Sequence, residues 1–243
     1  MIIAIMIGRA GSKGYPNKNI KLLNKKKICE YPIIASKKSK LIDEIYIGTD
    51  CEKIINATKK YKVKIIHRPK HLNTSKALGE DVYKYCFDEI IKKYKKIELV
   101  VLLMANAPTL NSSMLDNAIK KIRKNKKADA IVSVSKYNMW SPLRARKINR
   151  EGYLDPFVNF EYFGDPNTLN CDRDSQGDVY FADMSFSIVR PRCLINMHQN
   201  LLPQKWMGKK ILPYFSEAGL DIDYEWQFPQ LSYWIKKLKK KII

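Results

Sequence analysis

The strongest constraint on this chain is its opening, an uninterrupted apolar run from Ile2 to Ile7 that passes directly into Gly8-Arg9-Ala10-Gly11-Ser12-Lys13-Gly14-Tyr15-Pro16-Asn17-Lys18-Asn19. A short run that is apolar at every position, with turn residues behind it, predicts a strand buried on both faces, as in a parallel α/β sheet. The following segment sets three glycines among Arg9, Lys13 and Lys18. Glycine lets backbone N–H groups approach an anion closely, and fixed cations offset the charge gathered there. The spacing matches neither the ATPase phosphate loop nor the dinucleotide G-x-G-x-x-G fingerprint. A triphosphate is the guest such a loop suits.

Further apolar runs near 44–49, 63–66, 97–104 and 129–135 alternate with amphipathic segments near 29–40, 51–61, 76–95 and 112–126. Strand and helix in turn predict a doubly wound, mostly parallel sheet with helices on both faces. Ligands of such sheets sit at the carboxyl ends of the strands. The Gly8 loop, Asp50, the Asn106 segment and the residues after Val134 should therefore meet at one crevice. Asp50 is equally suited to capping the helix that begins near Cys51, and Asn111-Ser112-Ser113 reads as a helix start.

The 243 residues, 45% apolar, suit one domain with an excursion inside it. That excursion spans 137–178, where the alternation gives way to a stretch rich in aromatic, proline and charged residues, the composition of a lid or an interface. A strand pattern resumes at Asp178–Val189, and a helix is expected near Tyr224–Lys237. No run reaches the roughly 18 apolar residues of a membrane span, and the opening lacks the basic lead-in of a signal peptide, so a cytoplasmic protein is expected.

Five cysteines lie scattered without a C-x-x-C pair, and three histidines are equally dispersed, which argues against a zinc site or a disulfide framework. The net charge of +21 raises nucleic acid as a partner. The lysines are spread over nearly every expected helix surface, however, and read as solvated faces, so no nucleic acid is expected. The basic tail from Tyr233 reads as a terminal helix in preference to a membrane-surface one.

The loop string resembles the A-R-x-G-S-K-G-x-x-x-K-N signature of the acylneuraminate cytidylyltransferase (CMP-sialate synthetase) family, with Gly8 in place of the leading Ala. The resemblance continues in order. Ile45-Tyr46-Ile47-Gly48-Thr49-Asp50 is similar to the strand ending in S-T-D, and His67-Arg68-Pro69, Leu72 and Ser75 are similar to the R-P-x-x-L segment. Val100–Pro108 stands in the place of L-L-Q-P-T-S-P, and Asp221-Ile222-Asp223 resembles the D-I-D metal motif.

The resemblance implies a Rossmann-like nucleotidyltransferase fold with an inserted dimerisation arm at 137–178 and a homodimer. The reaction it implies is CMP transfer from CTP to a sugar acid, releasing pyrophosphate, in the CMP-sugar synthesis that feeds surface polysaccharide. It assigns CTP binding to Gly8, Arg9, Ala10, Gly11, Ser12, Lys13, Lys18, Asn19, Arg68 and Asn106, and catalysis to Lys18, Arg9 and Asp223. It assigns Mg²⁺ to Asp221 and Asp223, a role consistent with the ion's preference for one or two carboxylates plus substrate phosphates.

The acceptor side departs from the family pattern. Met104 replaces a Gln, Asn106 a Thr, Asp183 an Asn and Met184 a Gly. Met104, Asn106, Tyr180 and Asp183 are the acceptor candidates. Losing the Gln amide removes a hydrogen-bonding group, and the Asp adds negative charge that repels an acidic sugar unless neutralised. Asp183 is expected either to recognise an amino group, with Trp140 or Tyr180 adding cation–π attraction, or to pair with Arg144, Arg146, Arg190 or Arg192. The alternatives kept open are a phosphorylated, phosphonate or aminated acceptor and a noncatalytic nucleotide or nucleic-acid binder.

Overall fold

In the computed structural model, which describes residues 1–9, 11, 14–74, 76–172, 174–217 and 219–240, the opening run is strand β1 (Ile2–Ile7). Period-two alternation sends Ile2, Ala4 and Met6 into one core layer and Ile3 and Ile5 into another. Burying side chains on both faces, at about 1.5–3 kcal/mol for each large aliphatic, is what holds this strand at the middle of a sheet.

The remaining elements follow as β2 (Leu22–Leu23), β3 (Lys26–Lys27), α1 (Glu30–Lys38), β4 (Glu44–Thr49), α2 (Glu52–Thr58), β5 (Lys64–His67), α3 (Gly79–Ile91), β6 (Leu99–Met104) and α4 (Ser112–Lys124). Then come β7 (Ala130–Lys136), β8 (Arg146–Ile148), β9 (Leu154–Pro156), β10 (Tyr180–Val189), α5 (Pro191–Ile195), β11 (Ile211–Phe215) and α6 (Phe228–Lys240). The seven-stranded sheet has the order β11-β7-β10-β6-β1-β4-β5, and only β10 runs antiparallel to its neighbours. The doubly wound, mostly parallel α/β architecture is thus the one the sequence predicts.

Helices α1, α2 and α4 cover one face through Ile33, Ile54, Leu115, Ile119 and Ile122. Helix α3 covers the other through Val82, Tyr83, Phe87 and Ile90, with Cys193 and Leu194 of α5 beside it. Asn111 starts α4 as expected, its side chain accepting the Met114 N–H at 2.9 Å. Cys29, Cys51, Cys86 and Cys193 are buried thiols, and Cys171 is exposed.

The basic C-terminal helix α6 has a structural role. Leu231 and Ile235 pack with Tyr15, Leu23, Ile28 and Ile222 in a third apolar cluster. The helix thereby clamps the stretch after β1 to the Asp221–Asp223 segment. No helix among the described residues is long and apolar enough to cross a membrane.

Residues 137–178 leave the sheet as short turns and a separate antiparallel ladder of β8 and β9. Ile148, Leu154, Tyr162 and Phe163 stay exposed on it.

Candidate active site

The glycine loop lies at the carboxyl end of β1, where a switch in strand order opens a crevice. Gly8 donates its N–H to the Gly48 carbonyl at 3.4 Å. A Cβ there would lie 2.7 Å from the Ala105 methyl, which explains why glycine stands in place of the family's Ala. Gly14 approaches as closely on the other side, since a Cβ would fall 2.6 Å from the Asp223 carbonyl oxygen. Ala10, Ser12, Lys13 and Ser75 lie outside the described residues.

Arg9, Gly11, Lys18, Asn19 and Asp50 line a cavity of about 250 Å³. Asn19 is held by its amide, which donates to the Arg9 carbonyl at 3.3 Å, while its buried Oδ1 has no hydrogen-bond partner among the described residues. Arg9 donates to the Thr74 carbonyl at 3.2 Å. Arg68 lies beneath this cavity: its guanidinium is buried, donates to the Gly8 carbonyl at 3.4 Å and faces Asp50 at 4.0 Å. Burial pulls the Arg68 pKa down and Asp50 pulls it back. Asp50 is therefore a countercharge and does not cap α2, whose N-cap is Cys51.

The Asp221-Ile222-Asp223 segment is irregular chain stretched across the tip of β6. The Ile222 N–H donates to the Asn106 carbonyl at 3.0 Å, and the Asn106 amide donates to the Ile222 carbonyl at 3.0 Å and to Asp221 Oδ2 at 3.3 Å. Asn106 thus positions the metal-motif segment, in addition to any contact with ligand. With Ile222 buried between them, Asp221 and Asp223 are left facing the crevice, and Lys18 forms an ion pair with Asp223. Burial, then the Asp223 charge, pushes the Asp221 carboxyl up to about 6, and Lys18 opposes this.

Two carboxylates repelling each other beside a single ammonium form an all-oxygen donor set suited to Mg²⁺, which takes its remaining ligands from water and phosphate. Among the described residues no third His, Cys, Asp or Glu joins them.

A second cavity of about 370 Å³ adjoins Asp221 and is walled by Tyr137, Trp140, Phe181, Asp183, Trp226 and Gln230, among others. Asp183 is buried and pairs with none of the four candidate arginines. Ser133 Oγ donates to its Oδ1 at 2.5 Å, Ser135 Oγ to its Oδ2 at 2.7 Å, and the Ser185 N–H to Oδ1 at 3.1 Å. Gly219 packs against this carboxylate so closely that a Cβ would fall 1.6 Å from its Cγ.

Met184 has φ +60°, in the irregularity that interrupts the β10–β7 ladder between Ala182 and Ser187. The position where the family uses glycine thus keeps a left-handed backbone here, with a side chain that makes it costly.

Two acceptor candidates lie elsewhere. Strand alternation turns Tyr180 to the face opposite Phe181 and Asp183, where its ring meets Phe215 edge-on at 5.2 Å and its hydroxyl reaches Asp178. Met104 packs against the core layer of β1 and α3, because the last residue of β6 still points inward. Sequence reasoning missed Gly219, Gln227, Gln230 and the serine pair. Ser133-x-Ser135 on one strand face was the available signal.

A mostly parallel α/β sheet with a glycine loop after its first strand and two carboxylates beside a loop lysine defines a doubly wound α/β protein with a candidate site at its strand ends. The chain matches the model of the family described as Cytidylyltransferase over residues 3–230, and it belongs to that family. It is 27% identical over 242 residues to an N-acylneuraminate cytidylyltransferase of Escherichia coli, covering 99% of this chain and 53% of that protein. It is 32% identical over 102 residues, 37% of this chain and 43% of the relative, to a CMP-N,N'-diacetyllegionaminic acid synthase of Campylobacter jejuni. The chain thus spans about half the length of these curated relatives. In fold it is similar to a CMP:2-keto-3-deoxy-manno-octonic acid synthetase solved with CTP, at 12% identity and TM-score 0.68 over 97% of this chain and 98% of that one.

Proposed function

We propose that the protein transfers CMP from CTP to a sugar-acid acceptor, with release of pyrophosphate, acting in the cytoplasm as a homodimer. The observation that carries this reading is the meeting of the Gly8 loop, Lys18 and the Asp221–Asp223 pair at the carboxyl ends of parallel strands, in a member of the cytidylyltransferase family. The named activities of the relatives in Escherichia coli and Campylobacter jejuni support the acceptor class.

In this reading the acceptor hydroxyl attacks the α-phosphorus in line, forming a P–O bond as the bond to pyrophosphate breaks. Arg9 and Lys18 bind the triphosphate, and Lys18 offsets charge on the phosphates as they separate. Asn19 and the Gly11 backbone line the same cavity and orient the nucleotide. The hydroxyl proton passes to Asp221 or Asp223, directly or through water. Asp221 and Asp223 would hold Mg²⁺, which when bound neutralises phosphate charge and assists departure of pyrophosphate. The exposed apolar side chains of 137–178 are the surface a second copy would cover, and light scattering of the purified protein reads that state.

Pyrophosphate release tests the reading. With Mg²⁺ present, turnover should require CTP above the other nucleoside triphosphates and depend on an added nonulosonate or 3-deoxy-octulosonate. No release with any nucleotide and acceptor pair would overturn it.

A further inference from the structure

The protein as a whole is strongly basic, with 45 Lys and Arg against 24 Asp and Glu. The second cavity has the opposite character: among the described residues, its only charged lining side chains are Asp183 and Asp221. Asp221 is engaged at the boundary with the nucleotide site, beside Asp223 and Lys18. Asp183 is the unexplained charge.

Its three hydrogen bonds come from neutral donors, and no ion pair involving it is found among the described residues. Neutral donors satisfy geometry without cancelling charge, and a buried carboxylate normally finds a cation. Among the described residues its Oδ2 accepts only from Ser135, so acceptor capacity remains on the carboxylate. The negative field reaches the cavity. Tyr137, on its wall, has its hydroxyl pKa raised by burial first and by Asp183 next, with a smaller push from Asp221.

Around this charge stand Trp140 and Trp226, both largely exposed at the rim, with Tyr137 and Phe181. Aromatic faces beside a carboxylate attract organic cations, each face contributing about 0.5–2 kcal/mol. Two Gln side chains, Gln227 and Gln230, add neutral polar contacts of the kind hydroxyls use. The volume of about 370 Å³ fits one monosaccharide.

We propose that this cavity selects an acceptor carrying a protonated amino group, which Asp183 recognises by charge and the aromatic rim by cation–π contact. The inference rests on the proposed CMP transfer and narrows its acceptor class. An uncharged or purely acidic sugar entering here would meet two carboxylates and no cation from the described lining residues.

Two matched acceptor pairs test it: N-acetylneuraminate against its 9-amino-9-deoxy analogue, and 3-deoxy-manno-octulosonate against its 8-amino-8-deoxy analogue. With CTP and Mg²⁺, at least one amino analogue should exceed its hydroxyl partner in kcat/KM by about tenfold, equivalent to about 1.4 kcal/mol. Asp183→Asn should bring that ratio close to one with the KM for CTP unchanged. Trp140→Ala, at an exposed position that leaves the core alone, should lower the ratio by several-fold.

Equal or reversed preference in the wild-type protein for both pairs would overturn the inference, as would a preference untouched by Asp183→Asn. Calorimetric binding of the same sugars to the CMP-loaded protein is read separately. If no pair turns over, CMP transfer is refuted while a tighter Kd for the amines, lost in Asp183→Asn, still upholds the cation subsite; equal Kd values overturn it.

Discussion

The cavity beneath the glycine loop and the one lined by Asp183 and Asp221 are built in different ways. The one beneath the glycine loop is lined by the chain that follows β1 and by the chain from Asp50 into α2, with Arg9, Lys18 and Lys53 as its cations beside Asp50 and Glu52. The neighbouring one is assembled from β10, the 137–178 excursion and the segment leading into α6, and its charges are carboxylates. In the proposed reaction the first holds the polyphosphate and the second the acceptor.

Asp223→Ala gives the largest separation between them. It should lower Mg²⁺-dependent kcat/KM by about 10³-fold with every acceptor, because the carboxylate pair serves the phosphates. A loss confined to one acceptor would merge the two cavities into one function. Lys18→Ala should come next, lowering kcat at saturating CTP by about 10²-fold, as measured by pyrophosphate release. Unchanged turnover would remove Lys18 from the chemistry.

Asp221 lies on the boundary, and there activity and stability should part. Its pKa in the folded protein, about 6, stands above the ordinary 3.8, so the ionised form costs stability once pH exceeds both values. Asp221→Asn should therefore stabilise the metal-free protein at neutral pH by on the order of 2 kcal/mol in urea unfolding while abolishing turnover. That gain should shrink as pH falls through about 6 and vanish near 3.8, where both folded and unfolded chains bind the proton. A destabilised Asp221→Asn at neutral pH would contradict the electrostatic account.

Much of the nucleotide side was legible in the sequence. An all-apolar strand followed by glycines and cations has few alternative structures, and β1, β4, β6 and β7 fall within a few residues of their expected spans. The family string assigns Lys18 and Asp223 to the same phosphates; their ion pair, across 205 residues of sequence, is a finding of the structure. The roles of Asp50 and Arg68 were less legible, since a buried countercharge and a helix cap use the same residue type at a strand end.

The acceptor side was legible only as a set of departures. That Asp183 lies among Ser133, Ser135 and Gly219 depends on an antiparallel register and its irregularity, which short-range pattern does not specify. Tyr180 falls on the other face for a simpler reason: it stands three residues from Asp183 on one strand, and alternation turns the two apart.

The smallest effect examines that irregularity. Because Met184 holds φ +60°, Met184→Gly should be more stable than Met184→Ala by about 1 kcal/mol, the reverse of the usual strand preference. Equal stabilities in urea titration would mean that the left-handed turn relaxes when the side chain is shortened.

The most direct test of the central claim is a crystal structure of the protein with CTP and Mg²⁺. The account predicts the triphosphate in the loop cavity, its α-phosphorus between Lys18 and the Asp221–Asp223 pair and open toward the cavity that holds Asp183. A triphosphate bound away from Lys18, or with its α-phosphorus turned from that second cavity, would contradict it.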